Sequence, residues 1–239
     1  MTDAKEAKPD LSCVALLKSD KYLSENAEKF EKIGKEFNQP ASQGSLDTTV
    51  KTLEKKGFVV HVAKDSADAL KYITELPKDG QTISSGSSTT LDEIGYTNWA
   101  KTQTKLKDFK ALSLAAQASG DWPGANTLRK QGSIADFFYT GCSAVTEDGE
   151  VLWASATGTR VSILAGTLVF VIGSNKIVKN WQKANERLNE WQFQIESARA
   201  RVVYKNAGST ITEIGALKGV NPYAPKSVHI VILPGALGF

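Results

Sequence analysis

The chain has few of the residues that hold metals or form disulfides. Of its 239 residues, two are cysteine and two are histidine. Cys13 and Cys142 form no CxxC pair, which argues against a disulfide framework or a cysteine-ligated cluster. His61 and His229 lie in strand-like runs without a partner at ligand spacing, so we expect core or edge histidines there. The sequence therefore predicts no metal site and no cofactor.

Long apolar runs and blocks of one charge are also missing. No apolar run approaches the roughly 20 residues that a membrane-spanning helix needs, and the opening MTDAKEAKPD has no apolar core of the kind found in secretory signals. Lysine and arginine total 29 against 26 acidic residues, and the net charge of +3 is spread along the chain. Neither nucleic acid nor a membrane is indicated as a partner, and we expect a cytoplasmic protein.

Helical and strand-like patterns alternate through the first half of the chain. Apolar residues recur at three- and four-residue steps in 22–37, 46–53 and 67–76, which predicts three helices. FVVHV reads as a buried strand between the second and third helices, and QTIS as a strand after the third. Such alternation with short connections indicates right-handed crossovers and a largely parallel sheet.

The second half adds more strands and one long helical pattern. ADFFYTG, EVLWAS, TLVFVIG and SVHIVIL read as strands, and the Asp148-Gly149 step predicts a hairpin, hence a mixed sheet. STITEIG at 209–215 resembles TTLDEIG at 89–95, and we interpret both as helix starts. One apolar stripe predicts a long helix whose packing on the sheet is favoured over a dimer seam; it consists of Ile177, Trp181, Ala184, Leu188, Trp191, Ile195 and Ala198.

These patterns together predict an α/β fold with a mixed, largely parallel sheet. We expect residues 1–18 to form an N-terminal arm and residues 19–239 a single domain that includes an N-terminal covering helix. A chain of this length is large enough for one full α/β core.

A loop of small residues after the QTIS strand is the first candidate site. Its predicted ligand-binding residues are Ser85, Gly86, Ser87, Ser88 and Thr89. Small residues let backbone N–H groups approach a ligand closely, and the start of the next helix favours phosphate or carboxylate. The plainer interpretation is a capped helix, because Thr90 and Glu93 have the spacing of a capping box.

The segment after EVLWAS is the second candidate. Thr157, Gly158, Thr159 and Arg160 combine a turn with a guanidinium that suits bidentate recognition of carboxylate or phosphate. A surface ion pair is an equally good interpretation of Arg160. If both loops emerge at one edge of the sheet, they form one anion pocket.

Three further positions could take part in chemistry. Glu147 and Asp148 are candidate catalytic bases if one carboxylate is desolvated, although a solvated turn is favoured. Lys176, beside Asn175 and directly after a strand, could neutralise a bound anion, and both are counted as candidate ligand-binding residues. Cys142 is a weaker candidate for a nucleophile because no histidine is near it in sequence.

Four ordered motifs resemble the LUD (lactate-utilisation) domain family: SGSSTTLDEIG, ADFFYTGCSAVTEDGEV, TGTRVS and VFVIGSNKIV, with a long helix after the last. The resemblance covers about residues 44–200. It implies a three-layer α/β/α fold of the type shared by ribose-phosphate isomerases, glucosamine-phosphate deaminases and CoA transferases. Several bacterial relatives work in lactate oxidation with iron–sulfur subunits. Because this chain lacks the cysteine-rich motif of some relatives, the resemblance places any cluster in an iron–sulfur or oxidoreductase partner subunit.

The resemblance leaves ligand and chemistry open. Ala156 stands where many relatives have glycine and Thr159 where asparagine is common, so the ligand can differ. The first hypothesis is binding of a small anionic metabolite, accessory to oxidation of lactate or another 2-hydroxy acid. One alternative is an isomerase, deaminase or ligase acting on a sugar phosphate or CoA ester, which leaves open whether the chain is an enzyme. Another is an oligomeric interaction subunit, such as a homodimer through the helix after Ile177.

Overall fold

The computed structural model describes residues 9–158, 166–224 and 227–239. The helices are α1 (Cys13–Ser19), α2 (Lys21–Glu25), α3 (Ala27–Phe37), α4 (Gln43–Lys55), α5 (Ser66–Glu75), α6 (Thr89–Glu93), α7 (Tyr96–Thr102), α8 (Phe109–Ala118), α9 (Trp122–Gly132), α10 (Trp181–Glu186) and α11 (Phe193–Tyr204). The strands are β1 (Val59–Val62), β2 (Thr82–Ser85), β3 (Lys107–Asp108), β4 (Phe137–Thr140), β5 (Ala144–Thr146), β6 (Val151–Ser155), β7 (Thr167–Gly173), β8 (Ile177–Val178), β9 (Glu213–Leu217) and β10 (Ser227–Leu233). None of the described helices is both long and apolar enough to span a bilayer.

A parallel sheet of six strands forms the centre of the molecule. Its strand order is β1-β10-β7-β4-β2-β3, and every neighbouring pair is parallel. Both faces of the central strands are buried: on β4, Phe138 points into one core cluster, while Phe137 and Tyr139 point into another on the opposite face. Helices α5, α6 and α7 cover the second face. The predicted α/β fold with largely parallel pairing is confirmed.

A second sheet packs on the other face of the first. It has the order β8-β5-β6-β9 within the described residues, and it contains the antiparallel hairpin predicted at Asp148-Gly149. Strand β6 is buried throughout, with Val151 and Trp153 facing the parallel sheet and Leu152 facing helices α1, α2, α3, α10 and α11. Since β6 has apolar residues on both faces, both faces must be covered. The parallel sheet covers one face, and the helices cover the other.

Two strand predictions need correction. The FVVHV strand was expected to be buried, but within the described residues β1 is an edge strand paired with β10, and Val59 and Val62 are 43% and 45% exposed. Residues 209–215 were expected to start a helix, but β9 begins at Glu213 and pairs with β6. Gly215 lies against Trp153 there; a Cβ atom at Gly215 would come within 2.2 Å of the indole. In this segment, pairing with the edge of β6 decides the structure, although the local capping pattern favours a helix.

The helical predictions hold in outline but not at their ends. Ile177 lies in β8, and the helix begins only at Trp181, where the Asn180 side chain accepts a hydrogen bond from the Lys183 N–H group. A wide turn, Arg187–Gln192, with hydrogen bonds of π-helical type, separates α10 from α11. The N-terminal helical pattern is likewise divided, because the helix is interrupted at Asn26, which ends α2 and precedes α3.

Candidate functional site

The loop after β2 enters a short helix through a different cap from the one expected. Ser88 is the N-cap of α6, and its Oγ accepts a hydrogen bond from the Leu91 N–H group at 3.3 Å. The expected capping box of Thr90 and Glu93 is therefore wrong. Thr90 is buried, and the Glu93 carboxylate accepts from the Gly238 N–H group at 2.8 Å. Both side chains contact the C-terminal segment, and Glu93 also lines the neighbouring cavity.

A cavity of about 390 Å³ lies where β2, β4 and β7 end. Loops after adjacent parallel strands meet at this edge, which is where open α/β sheets bind ligands. The lining residues are Pro9, Asp10, Leu11, Ser12, Ser87, Ser88, Thr89, Asp92, Glu93, Gly141, Cys142, Lys176, Gln192, Glu196, Arg199 and Phe239. The first half, the middle and both ends of the described chain contribute to its wall.

Lys176 provides the buried positive charge of this cavity. The residue is only 3% exposed, and its Nζ donates a hydrogen bond to Thr90 Oγ1 at 3.1 Å. Two glycines give it room: a Cβ atom at Gly141 would lie 3.7 Å from Nζ, and one at Gly238 would lie 3.2 Å from it. Burying an ammonium group is costly unless other groups compensate its charge. At the cavity wall, Lys176 can receive part of that compensation from an anion in the cavity.

Glu93 is a carboxylate of the wall whose surroundings shift its pKa. Burial raises its pKa, and this effect is opposed by the Gly238 N–H group and by the nearby Lys176 ammonium. A carboxyl group with a raised pKa in a cavity is suited to proton transfer near neutral pH. The sequence predicted this character for Glu147 or Asp148 instead.

An ion pair forms one side of the cavity. Arg199 donates to both carboxylate oxygens of Glu196, at 2.8 and 2.7 Å, and these hydrogen bonds raise the pKa of Arg199. Both residues also line a second cavity of about 200 Å³, as do Ser87 and Gln192. The two cavities therefore share a wall, and the pair sits in it.

Gln192 is the polar group of the wall whose contacts are incomplete. It is buried, it lines both cavities, and its Oε1 has no hydrogen-bond partner among the described residues. It ends the π-helical turn, a distortion often found at functional sites. An unsatisfied buried amide oxygen costs about 1–3 kcal/mol, so a ligand that supplies a donor would recover that energy.

Arg187 organises the floor behind the cavity. Its side chain is fully buried, with Nε donating to the Asn175 carbonyl at 3.2 Å and Nη1 to the Ser143 carbonyl. Burial lowers its pKa to about 10. The guanidinium thereby ties the loop after β4 to the loop after β7, next to Cys142 and Lys176.

The residues predicted from the sequence divide into several groups. Ser87, Ser88, Thr89 and Lys176 come together in the first cavity, and Thr157 lines the second. Ser85 ends β2, and the Gly86 N–H group bonds to the Tyr139 carbonyl at 2.9 Å. Thr159 and Arg160 lie outside the described residues, and Gly158 has a positive φ of 72°.

Other predicted residues have mainly structural contacts. Asn175 is buried, with its amide nitrogen donating to Asn38 Oδ1 at 3.1 Å and its Oδ1 accepting from the Leu237 N–H group at 3.3 Å. Glu147 accepts from Lys179 Nζ at 2.6 Å and from Ser45 Oγ at 2.8 Å. These hydrogen bonds lower its pKa, and neither Glu147 nor Asp148 lines the two cavities. A ligand-binding or catalytic role for any of them stays a prediction.

Sequence reasoning missed Gln192, Glu196 and Arg199. The three recur at steps of four and three residues, one position beyond the apolar stripe, and thus form a narrow polar stripe beside it. That spacing was the signal available. Among the described ranges, no group of three His, Cys, Asp or Glu side chains is placed to hold a metal ion.

The fold and the cavity define an α/β protein with a cleft at the carboxyl ends of parallel strands. The family model of the LUD domain matches residues 46–233, and the chain belongs to this family. Among solved structures, it is similar to a DUF162 family protein from Deinococcus radiodurans, at 15% identity and a TM-score of 0.47, over 81% of this chain and 99% of that one. Comparison with curated proteins gives no match.

Proposed function

We propose that the chain binds a small anionic metabolite in the first cavity, with Lys176 as the counter-charge. The observation that carries the proposal is the buried ammonium group at the end of β7, 3.1 Å from Thr90 Oγ1 and on the wall of a cavity of about 390 Å³. An anion beside it would offset part of the cost of keeping that charge away from water. Cavities of this size are typical of small-molecule sites.

The surrounding groups support the same proposal. Ser87, Ser88 and Thr89 line the same cavity, and so does Gln192. Hydroxyl groups both donate and accept, so they suit a carboxylate or the hydroxyls next to one.

Membership of the LUD family suggests the metabolic setting. We propose an accessory role in the oxidation of lactate or another 2-hydroxy acid. With two cysteines in the whole sequence, the chain cannot provide the four thiolates of a common iron–sulfur cluster. The proposal therefore places the redox centre in an iron–sulfur or oxidoreductase partner subunit.

Calorimetric titration of the full chain tests the proposal. The panel contains lactate, pyruvate, gluconate, sugar phosphates, nucleotides and CoA esters. We expect at least one of them to bind, and the Lys176→Met variant to bind it at least tenfold more weakly. Lys71→Met is the matched control, because it removes the same charge from an exposed position on α5. Well-folded protein that binds no member of the panel would overturn the proposal.

One observation favours a second candidate, a proton-transfer enzyme. Glu93 combines a raised pKa with a place on the cavity wall near Lys176, so it is better suited to act as a base than Glu147. If the chain turns over any panel compound, Glu93→Gln should abolish turnover while retaining binding. Parallel amide variants of Glu147 and Asp148 test the base predicted from sequence, and loss of turnover only in those would assign the role to the hairpin.

A further inference from the structure

The charged groups of the first cavity restrict the kind of anion that fits. Among the described residues, its wall contains two cations, Lys176 and Arg199, and four carboxylates, Asp10, Asp92, Glu93 and Glu196. In that part of the wall, carboxylates outnumber cations two to one. A site for a phosphate ester normally presents an excess of positive charge or a set of arginine forks, and the described part of the wall presents neither.

Of the two cations, Arg199 is already neutralised. Its guanidinium makes a two-pronged contact with Glu196, with N–O distances of 2.8 and 2.7 Å. Arg199 also lies over the Tyr204 ring, 5.5 Å from its centroid, which fixes the guanidinium further. Lys176 therefore supplies the main positive charge for a ligand, and Glu93 offsets part of it.

The hydrogen-bonding groups of the wall are rich in acceptors. Gln192 Oε1 has no partner in the part of the chain that the structure describes, and the Glu93 carboxylate receives a single hydrogen bond there, from the Gly238 N–H group. Acceptors in a partly desolvated cavity are satisfied by a ligand that brings donors, and hydroxyl groups are donors that carry no charge. An acid as small as lactate would leave much of the cavity to water.

Resting on the proposed function, we infer that the ligand is a polyhydroxylated monocarboxylate, and that the site discriminates against phosphate esters. The carboxylate lies at Lys176 and the loop hydroxyls, and the hydroxyls of the ligand donate to Gln192 and Glu93. A phosphate group adds further negative charge, which faces Glu196, Asp92 and Asp10, and the guanidinium that the described wall contains, that of Arg199, is already bound to Glu196.

Matched ligands test this inference by calorimetry on the full chain. The probes are D-gluconate, D-galactonate, 6-phosphogluconate, glucose and L-lactate. We expect one of the two sugar acids to bind at least tenfold more tightly than glucose, lactate and 6-phosphogluconate. Equal or tighter binding of 6-phosphogluconate would overturn the inference and leave the proposed anion site standing, as would binding of lactate without either sugar acid. Failure of every acid in this set and in the wider panel would overturn both.

A substitution that removes one carboxylate charge sharpens the test. Glu196→Gln frees Arg199 and removes one repelling carboxylate, so the preference for the sugar acid over 6-phosphogluconate should narrow at least threefold. Glu190→Gln changes the net charge equally at an exposed position of the same helical stretch, and it should leave the preference unchanged. An unchanged preference in folded Glu196→Gln would contradict the inference.

Discussion

The Lys176 ammonium group donates a hydrogen bond to the Thr90 hydroxyl at 3.1 Å, and this contact joins the loop after β7 to helix α6. Thr90 Oγ1 also lies 3.5 Å from the Leu237 carbonyl, so the C-terminal segment meets the same point. Three segments far apart in sequence thus fix one charged group at the cavity wall. Such close approach depends on the small residues Gly141 and Gly238 around the ammonium group.

Gly141→Ala should weaken ligand binding about tenfold without unfolding the chain. The added Cβ would lie 2.9 Å from Ser88 Oγ, a hydroxyl that can rotate away, and 3.7 Å from Lys176 Nζ. The methyl group therefore displaces the loop hydroxyl and fills space at the cavity wall. Calorimetry with the tightest compound of the panel measures the affinity, and circular dichroism checks the fold.

Gly44→Ala is the control for that substitution. Gly44 lies in α4, and a Cβ atom there would have nothing within 4 Å. Alanine in place of glycine stabilises a helix by up to about 1 kcal/mol. We expect a slightly higher Tm and unchanged affinity. Equal affinities of Gly141→Ala and wild type would show that the ligand does not contact this wall.

Gln192→Met should stabilise the fold while weakening binding. The substitution keeps the length and helix propensity of the side chain but removes an amide oxygen that is buried without a partner. Loss of that penalty should raise the free energy of unfolding by about 1 kcal/mol. A ligand that donates to Oε1 loses its partner, so its affinity should fall at least fivefold. Denaturant titration and calorimetry measure the two effects, and lower stability with unchanged affinity would contradict both.

The sequence predicts those parts of the fold and site that depend on local patterns. The alternation of elements and the turn at Asp148-Gly149 follow from periodicity and turn chemistry, and Ser87, Ser88 and Lys176 follow from their place directly after strands. Parallel strands bring such loops to one edge, so that part of the site could be derived without coordinates.

The rest depends on tertiary contacts that local patterns do not encode. Strand β9 forms by pairing with β6. In that pairing Gly215 lies opposite Trp153, and the missing side chain leaves room for the indole. Gln192 lies at the end of a π-helical turn between α10 and α11, and the regular apolar stripe does not indicate that turn. Glu93 accepts a hydrogen bond from the distant Gly238 N–H group, and nothing near residue 93 in the sequence indicates that contact.

Asp20→Asn should destabilise the chain at neutral pH and flatten its acid denaturation. Asp20 accepts two hydrogen bonds from Arg201 of α11, at 2.7 and 2.8 Å, and these lower its pKa from the ordinary value of 3.8. A lowered folded pKa means that the stabilisation is present above about pH 4 and is lost as pH falls through the folded pKa. The loss at pH 7 should be about 1–3 kcal/mol, as for charge-assisted hydrogen bonds.

Asparagine isolates the ion pair in this experiment, because it can still cap α2 as Asp20 does through the Leu23 N–H group. Urea titrations from pH 3 to pH 7 measure the effect. Asp47→Asn, at an exposed position of α4, is the control and should reproduce the wild-type pH dependence. If Asp20→Asn and wild type have the same stability at pH 7, the pair with Arg201 does not hold α2 against α11.

Ile195→Glu should unfold the chain rather than dissociate a dimer. Ile195 is fully buried in a core cluster with Leu23, Phe30 and Trp191, so the apolar stripe of α11 packs against the N-terminal helices of the same chain. An unpaired carboxylate at that position costs several kcal/mol. Val203→Glu, at an exposed position of α11, is the control and should remain folded. Thermal unfolding and light scattering separate the outcomes: a folded Ile195→Glu variant of reduced mass would instead identify the stripe as a contact between subunits.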